Sequence, residues 1–263
     1  MDKTDIVRTA HAVADAAREA VLPFFRSAGL TADNKLPEGR FDPVTEGDRA
    51  TERAMREVLR RLRPQDGILG EEYGAVSGTS GLTWVLDPID GTRAFMSGAP
   101  TWGVLIAVSD ETGPIYGIID QPYIAERFEG GWGTARMTGP MGARDLRVLG
   151  ARALSDAIVF TTFPELGSPA EAAGFAEVAA CAKLTRYGLD CYAYSLVAAG
   201  HVDLVIEAGL AAYDIQAPIA VIEAAGGIVT DWQGGPAHQG GRAIAAAGRA
   251  QHEAALEILS KVV

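Results

Sequence analysis

The sequence predicts an α/β protein, with an α+β first half over residues 1–150 joined to an α/β second half over residues 151–263. Three patterns predict it. Apolar residues recur at helical spacing in two amphipathic segments near the start, short alternating runs follow between 103 and 128, and strand-like and helix-like segments then alternate to the end. No Ser/Gly-rich linker marks the join, so the halves are expected to share a site.

In order, Ile6, Val7, Ala10, Val13, Ala14, Ala17 and Val21 predict a long amphipathic helix from Thr4, as its cap, to about Arg26. A polar stretch containing Asp33, Lys35, Pro37 and Gly39 leads to Asp42-Pro43-Val44-Thr45-Glu46-Gly47-Asp48. A second helix then runs to Pro64, which puts Asp48 near its start. Two apolar runs, 67–72 and 83–87, each finish in acidic residues, as strands do when their carboxyl ends open into a site. Runs at 103–108, 115–119 and 126–128 predict an antiparallel sheet. Later strands are expected at 157–161, 202–207, 227–230 and 243–246, with helices near 168–182, 190–199, 213–225 and 249–261.

A chain of 263 residues has enough length for a substantial core, and its 34 acidic against 23 basic residues give a net charge of −11. That balance argues against binding a nucleic-acid backbone. No apolar run approaches a membrane span, and Met1-Asp2-Lys3-Thr4-Asp5 lacks the basic head of a signal peptide, so a cytoplasmic protein is expected. Cys181 and Cys191 are too few for a disulfide scaffold and read as reduced thiols. Trp102, Trp132 and Trp232 read as core or subunit-contact residues, and Arg60, Arg61 and Arg63 as cations at a helix end.

The most informative stretch is Trp84-Val85-Leu86-Asp87-Pro88-Ile89-Asp90-Gly91-Thr92. Pro88 turns the chain after a strand, so Asp87 and Asp90 can project from one tight loop, while Gly91 and Thr92 can offer donors to an anion. Carboxylates that face an anion need a cation between them. Hard Mg2+ suits an all-oxygen set, and His11, His201, His238 and His252 show no ligand-like spacing for softer metals. A single Asp-x-x-Asp reads as a turn. Three further acidic elements raise its meaning: Gly70-Glu71-Glu72, the 42–48 segment, and Tyr213-Asp214 ahead of an apolar helix.

On these residues the sequence resembles the inositol monophosphatase family of Mg2+-dependent, lithium-sensitive phosphatases. The matching elements are DPVTEGD at 42–48, GEE at 70–72, WVLDPIDGT at 84–92 and YDIQAPIAVIEAAGG at 213–227, with Tyr213 where the family usually has Trp. The resemblance implies a layered αβαβα sandwich, a cytoplasmic homodimer and two or three Mg2+ ions per site. It implies that Glu71, Asp87 and the carbonyl of Ile89 hold one ion, and Asp87, Asp90 and Asp214 a second. Glu71 would also reach a third through water. Asp48 and Thr45 would orient the attacking water, and Gly91 and Thr92 would receive the phosphate. Lys35 would correspond to a basic residue of the family's N-terminal loop. An aspartyl nucleophile is disfavoured, because the Asp-x-Asp-x-Thr pattern it requires is absent around Asp87.

The segment Arg186-Tyr187-Gly188-Leu189-Asp190-Cys191-Tyr192-Ala193-Tyr194 is similar to the Gly-Asp-Cys-Tyr-x-Tyr/Phe pattern of the histidinol-phosphate phosphatases of the same superfamily, with Leu189 as an extra residue. Asp190 then reads either as an acidic pocket wall for an ammonium or imidazole, or as a helix cap. Glu207 reads as a contact to the substrate's organic part or as a strand-end surface acid. Tyr187, Tyr192 and Tyr194 read as core or interface residues, or as partners for an imidazole. The expected function is hydrolysis of L-histidinol phosphate; the alternatives are a broad-specificity inositol-1-phosphate phosphatase and a regulatory binding protein of the same superfamily.

Overall fold

The computed structural model describes residues 2–28, 32–34, 43–165 and 167–262; Lys35, Asp42 and most of the 29–41 segment lie outside them. The first helix, α1 (Lys3–Val21), starts two residues earlier than a Thr4 cap would place it, because Asp2 is the cap: its carboxylate accepts the Thr4 N–H at 2.9 Å. It also ends at Val21 rather than Arg26, where Leu22-Pro23 breaks the pattern. The strands β1 (Ala32–Asn34) and β2 (Pro43–Thr45) pair antiparallel and lead into α2 (Glu46–Leu62).

Next come β3 (Gly67–Gly70), β4 (Gly74–Val76), β5 (Thr83–Asp90), the short helix α3 (Thr92–Ser97), β6 (Gly103–Asp110), β7 (Gly113–Gln121), β8 (Glu126–Gly131), β9 (Thr134–Gly139) and β10 (Gly142–Asp145). The later elements are β11 (Ile158–Thr161), α4 (Pro169–Cys181), β12 (Leu184–Tyr187), α5 (Cys191–Ala198), β13 (Leu204–Leu210), α6 (Ala212–Ala224), β14 (Ile228–Thr230), β15 (Gly241–Ala246) and α7 (Arg249–Leu259). An eight-stranded sheet has the order β10-β9-β8-β7-β6-β5-β3-β4, parallel only between β3 and β5. A five-stranded sheet has the order β12-β11-β13-β15-β14. It is mixed rather than wholly parallel, since β15 runs antiparallel to both neighbours.

Burial stacks these pieces in five layers, as an αβαβα sandwich. Helices α1 and α2 bury Ile6, Ala10, Val13, Met55 and Leu59 against Trp84, Leu86, Ile106 and Ile118 on one face of the large sheet. Helices α5 and α6 fill the space between the sheets, in a core that includes Leu105, Ile119, Tyr194, Val197, Ile215, Val221, Val205 and Ala245. Phe175, Val178, Ala255 and Leu259 of α4 and α7 cover the far face of the small sheet, with Trp232 among them. Glycine lets α6 sit close: a Cβ on Gly117 would lie 2.7 Å from the Ala217 carbonyl, and one on Gly130 2.7 Å from the Val221 Cα. The middle layer therefore holds the amino end of α6, and with it Asp214, beside β5.

The remaining expectations resolve by packing. Trp102 and Trp232 are buried, whereas Trp132 is partly buried and stacks on Tyr116. Arg63 does more than complement a helix end, since it bridges Asp66 and Asp5 and so ties α2 to α1. No helix among the described residues is long and apolar enough to cross a membrane.

Candidate active site

Strand β5 brings its two aspartates to one side through a bulge. In a regular strand, residues three apart face opposite sides of the sheet. Here Asp87 pairs with Leu105 and Asp90 with Gly103, so one extra residue on β5 reverses that parity. Pro88 is tolerated in the bulge because no ladder bond is asked of it. The turn is locked by the Ile89 N–H, which donates to Asp87 Oδ1 at 3.0 Å, and by the Thr92 hydroxyl, which donates to the Ile89 carbonyl at 3.2 Å. Beneath it, Ile89 packs among Val21, Phe25, Phe95 and Trp102, whose ring centroids lie 4.8–5.3 Å apart.

The other acids arrive from different elements. Glu71 follows β3, which runs parallel to β5, and its N–H donates to the Leu86 carbonyl at 3.2 Å, so its side chain emerges beside Asp87. Buried Glu52 of α2 holds that turn by accepting the Glu72 N–H at 2.6 Å and the Tyr73 N–H at 3.2 Å. Asp214 stands in the first turn of α6, with its carboxylate accepting the Ala211 N–H at 2.7 Å. Oxygens of Asp87, Asp90 and Asp214 lie within 4.8 Å of one another.

That convergence is costly without a cation. Burial, then the charges of Glu71, Asp90 and Asp214, push the Asp87 carboxyl well above its usual range. Burial and the charges of Asp190 and Asp214 do the same to Asp90. An all-oxygen set of mutually repelling, desolvated carboxylates fits a hard divalent cation and offers little to a soft one. The residues present therefore suit a hard divalent metal ion.

A cavity of about 430 Å³ opens over the cluster. Glu71, Asp87, Ile89, Asp90, Gly91, Thr92, Asp190, Glu207 and Asp214, all singled out in the sequence, line it together. Thr45 and Asp48 stand behind its wall. Thr45 caps α2, donating through N–H and hydroxyl to Asp48 Oδ2 at 2.7 and 2.6 Å, while the Thr92 hydroxyl lies 3.5 Å from Asp48 Oδ1. Burial pushes the Asp48 carboxyl up to about 6, against the opposing hydrogen bonds from Thr45.

Asp190 occupies the N-cap position of α5 yet makes no side-chain cap bond, which corrects the cap reading. Asp90 caps that helix instead: its Oδ2 accepts the Cys191 N–H at 2.6 Å. The Asp190 carboxylate turns to Thr101, 3.3 Å away, and lies so close to Gly91 that a Cβ there would come within 2.7 Å of its Cγ. Gly91 itself has φ 84°, and Asp190 has φ 48° and ψ −142°, a region other residues rarely visit. Burial raises the Asp190 carboxyl, opposed by the Thr101 hydrogen bond and the charge of Arg93.

Glu207 is not a surface acid. It is buried and accepts both the N–H and the hydroxyl of Thr162, at 2.7 and 2.8 Å, and burial lifts it to about 7. A raised folded-state value means that the native protein binds this proton more tightly than the unfolded chain. The resulting stability is fully present below the unfolded value near 4.5 and is lost as pH rises through 7. Urea unfolding of the metal-free protein against Glu207→Gln should therefore show the wild type losing about 3 kcal/mol relative to the variant between pH 4.5 and 8. A pH-independent difference would contradict the burial of this acid.

The tyrosines divide. Tyr187 is exposed and edges onto Phe175, and Tyr192 donates to Glu126 at 2.9 Å, so neither lines the cavity. Tyr194 does line it, with a buried hydroxyl that has no hydrogen-bond partner among the described residues. Sequence reasoning missed Thr101, Thr162, Phe163 and the Cys191 amide. It also missed Arg93, although that residue directly follows Gly91-Thr92.

Residues 2–263 match the sequence profile of the inositol monophosphatase family. An Arabidopsis thaliana protein named bifunctional phosphatase IMPL2, chloroplastic, is 41% identical over 226 residues, 85% of this chain; the match spans 63% of that longer protein. A histidinol-phosphatase from Streptomyces coelicolor is 35% identical over 259 residues, 96% of both chains. Among solved structures, an inositol monophosphatase from Zymomonas mobilis superposes with a TM-score of 0.87 at 38% identity, over 99% of both chains.

Proposed function

The chain belongs to the inositol monophosphatase family, a group of phosphoric monoester hydrolases, and from that premise we propose that it hydrolyses L-histidinol phosphate to L-histidinol and phosphate with Mg2+. The observation that carries this reading is Asp190, a carboxylate held in strained backbone against Gly91 at the edge of the acidic cavity. A neutral cyclitol does not require that charge. A substrate with an ammonium and an imidazole can use it, through charge-assisted hydrogen bonds. The Streptomyces relative's name points the same way, and the Zymomonas structure favours the second reading, an inositol-1-phosphate phosphatase.

In this reading residues 1–150 supply the phosphate end of the site, and residues 151–263 supply the organic wall and Asp214. Glu71, Asp87 and the Ile89 carbonyl would hold one ion, and Asp87, Asp90 and Asp214 a second, with a third, weaker ion reached from Glu71. When bound there, the divalent charge would make the attacking water more acidic and would offset charge on the leaving oxygen. The chain does the rest by placement. The Gly91 and Thr92 backbone N–H groups receive the phosphate oxygens. Thr45, Asp48 and Thr92 form a hydrogen-bonded chain that orients the attacking water, with Asp48 Oδ1 able to take its proton by way of the Thr92 hydroxyl. Asp90, anchored by the Cys191 amide, stands between phosphate and organic group. Asp190 and the Glu207 side of the cavity meet the amino alcohol.

The test is kcat/KM for histidinol phosphate and inositol 1-phosphate, measured with Mg2+ and with lithium as a control. The expected ratio is at least about tenfold in favour of histidinol phosphate, the scale of one well-placed charged contact. A ratio at or below one would favour the inositol reading.

A further inference from the structure

Two residues at the mouth of the cavity have no part in the roles above. Phe163, two residues beyond β11, leaves 41% of its surface exposed although it is large and apolar. It lines the cavity with Arg93, and the Arg93 guanidinium carbon lies over its ring, 4.9 Å from the centroid. The ring does not wander, because the residue before it is pinned: Thr162 gives both its N–H and its hydroxyl to buried Glu207.

The Arg93 guanidinium is a planar cation, so its place over Phe163 identifies a ring face that accepts one. The charge of the same guanidinium favours the ionised form of Asp190, which lines the same cavity. One planar cation thus addresses an aromatic face and a carboxylate together. We propose that Phe163 is a specificity-determining residue, whose ring takes the planar cationic group of the substrate on the face that Arg93 covers, with Asp190 as the opposing charge. This rests on the reading that the organic end of the phosphate ester is cationic, with its imidazole protonated against Asp190. Arg93 moves off the ring as substrate enters, and its charge remains beside the phosphate loop that it directly follows. Glu207 acts here as a positioning residue, since its two bonds to Thr162 set where the ring stands.

The experiment compares Phe163→Ala and Phe163→Tyr with the unaltered protein, using histidinol phosphate and glycerol 2-phosphate with Mg2+. Phe163→Ala should raise KM for histidinol phosphate about tenfold more than KM for glycerol 2-phosphate, with kcat for histidinol phosphate held within about threefold. Phe163→Tyr keeps a ring face and should retain most of the selectivity. Equal rises in KM for both esters would assign Phe163 a merely structural role and overturn the proposal, as would a preference that survives Phe163→Ala. An unaltered protein with no preference for histidinol phosphate over inositol 1-phosphate would overturn the substrate reading itself, and the aromatic wall with it.

Discussion

Asp87→Asn is expected to lower kcat by roughly 10³-fold or more, about 4 kcal/mol of transition-state stabilisation, while the protein stays folded. Asp87 is the residue shared by both proposed ion sites, so its loss removes a ligand from each. The backbone has no reason to follow. Asparagine keeps the oxygen that accepts the Ile89 N–H, so the β5 bulge remains tied. Taking one negative charge out of a buried cluster also relieves repulsion from Glu71, Asp90 and Asp214. The metal-free variant should therefore melt at or above the wild-type temperature, yet show little of the rise that Mg2+ gives the wild type. Steady-state kinetics and thermal melts with and without Mg2+ check both halves. Full activity in the variant would sink the two-ion reading.

Asp190→Asn is expected to raise KM for histidinol phosphate about 10- to 100-fold, and KM for glycerol 2-phosphate less than about threefold. Asparagine is the informative substitution because it has the size of aspartate, and so keeps the packing against Gly91 and the hydrogen bond with Thr101. Alanine at φ 48° would add backbone strain and mix two effects. A like rise for both esters would show that Asp190 only shapes the loop around Gly91.

Periodicity made the layers legible. The apolar stripes of α1 and α2 and the alternating runs of β6, β7 and β8 encode which face each element buries. The hairpin of β9 and β10 was missed because β10 is wholly exposed and β9 buries only two side chains, Ala135 and Met137, between polar neighbours. The acidic motifs named the residues of the site, but their convergence depends on topology. Asp214 meets Asp87 across more than a hundred residues because α6 settles over the glycines of β7 and β8. Nor does Asp-x-x-Asp reveal that a bulge turns both carboxylates the same way. Asp190 at a helix start suggested a cap in sequence, and only the fold brings Asp90 from a distant strand to do that work. Lys35, matched to a basic residue of the family's N-terminal loop, lies outside the described residues.

The central claim is that Asp87, Asp90 and Asp214, with Glu71, gather divalent cations that their own repulsion makes necessary. Calorimetric titration of the metal-free wild-type protein with Mg2+ near pH 7, repeated in buffers of different ionisation enthalpy, tests it directly. Carboxyls held above their usual range must give up protons as ions bind. The predicted result is binding of about two ions, with proton release that grows as pH falls and apparent affinity that weakens with it. Absence of Mg2+ binding at millimolar concentrations, or binding with no proton release at any pH, would contradict it.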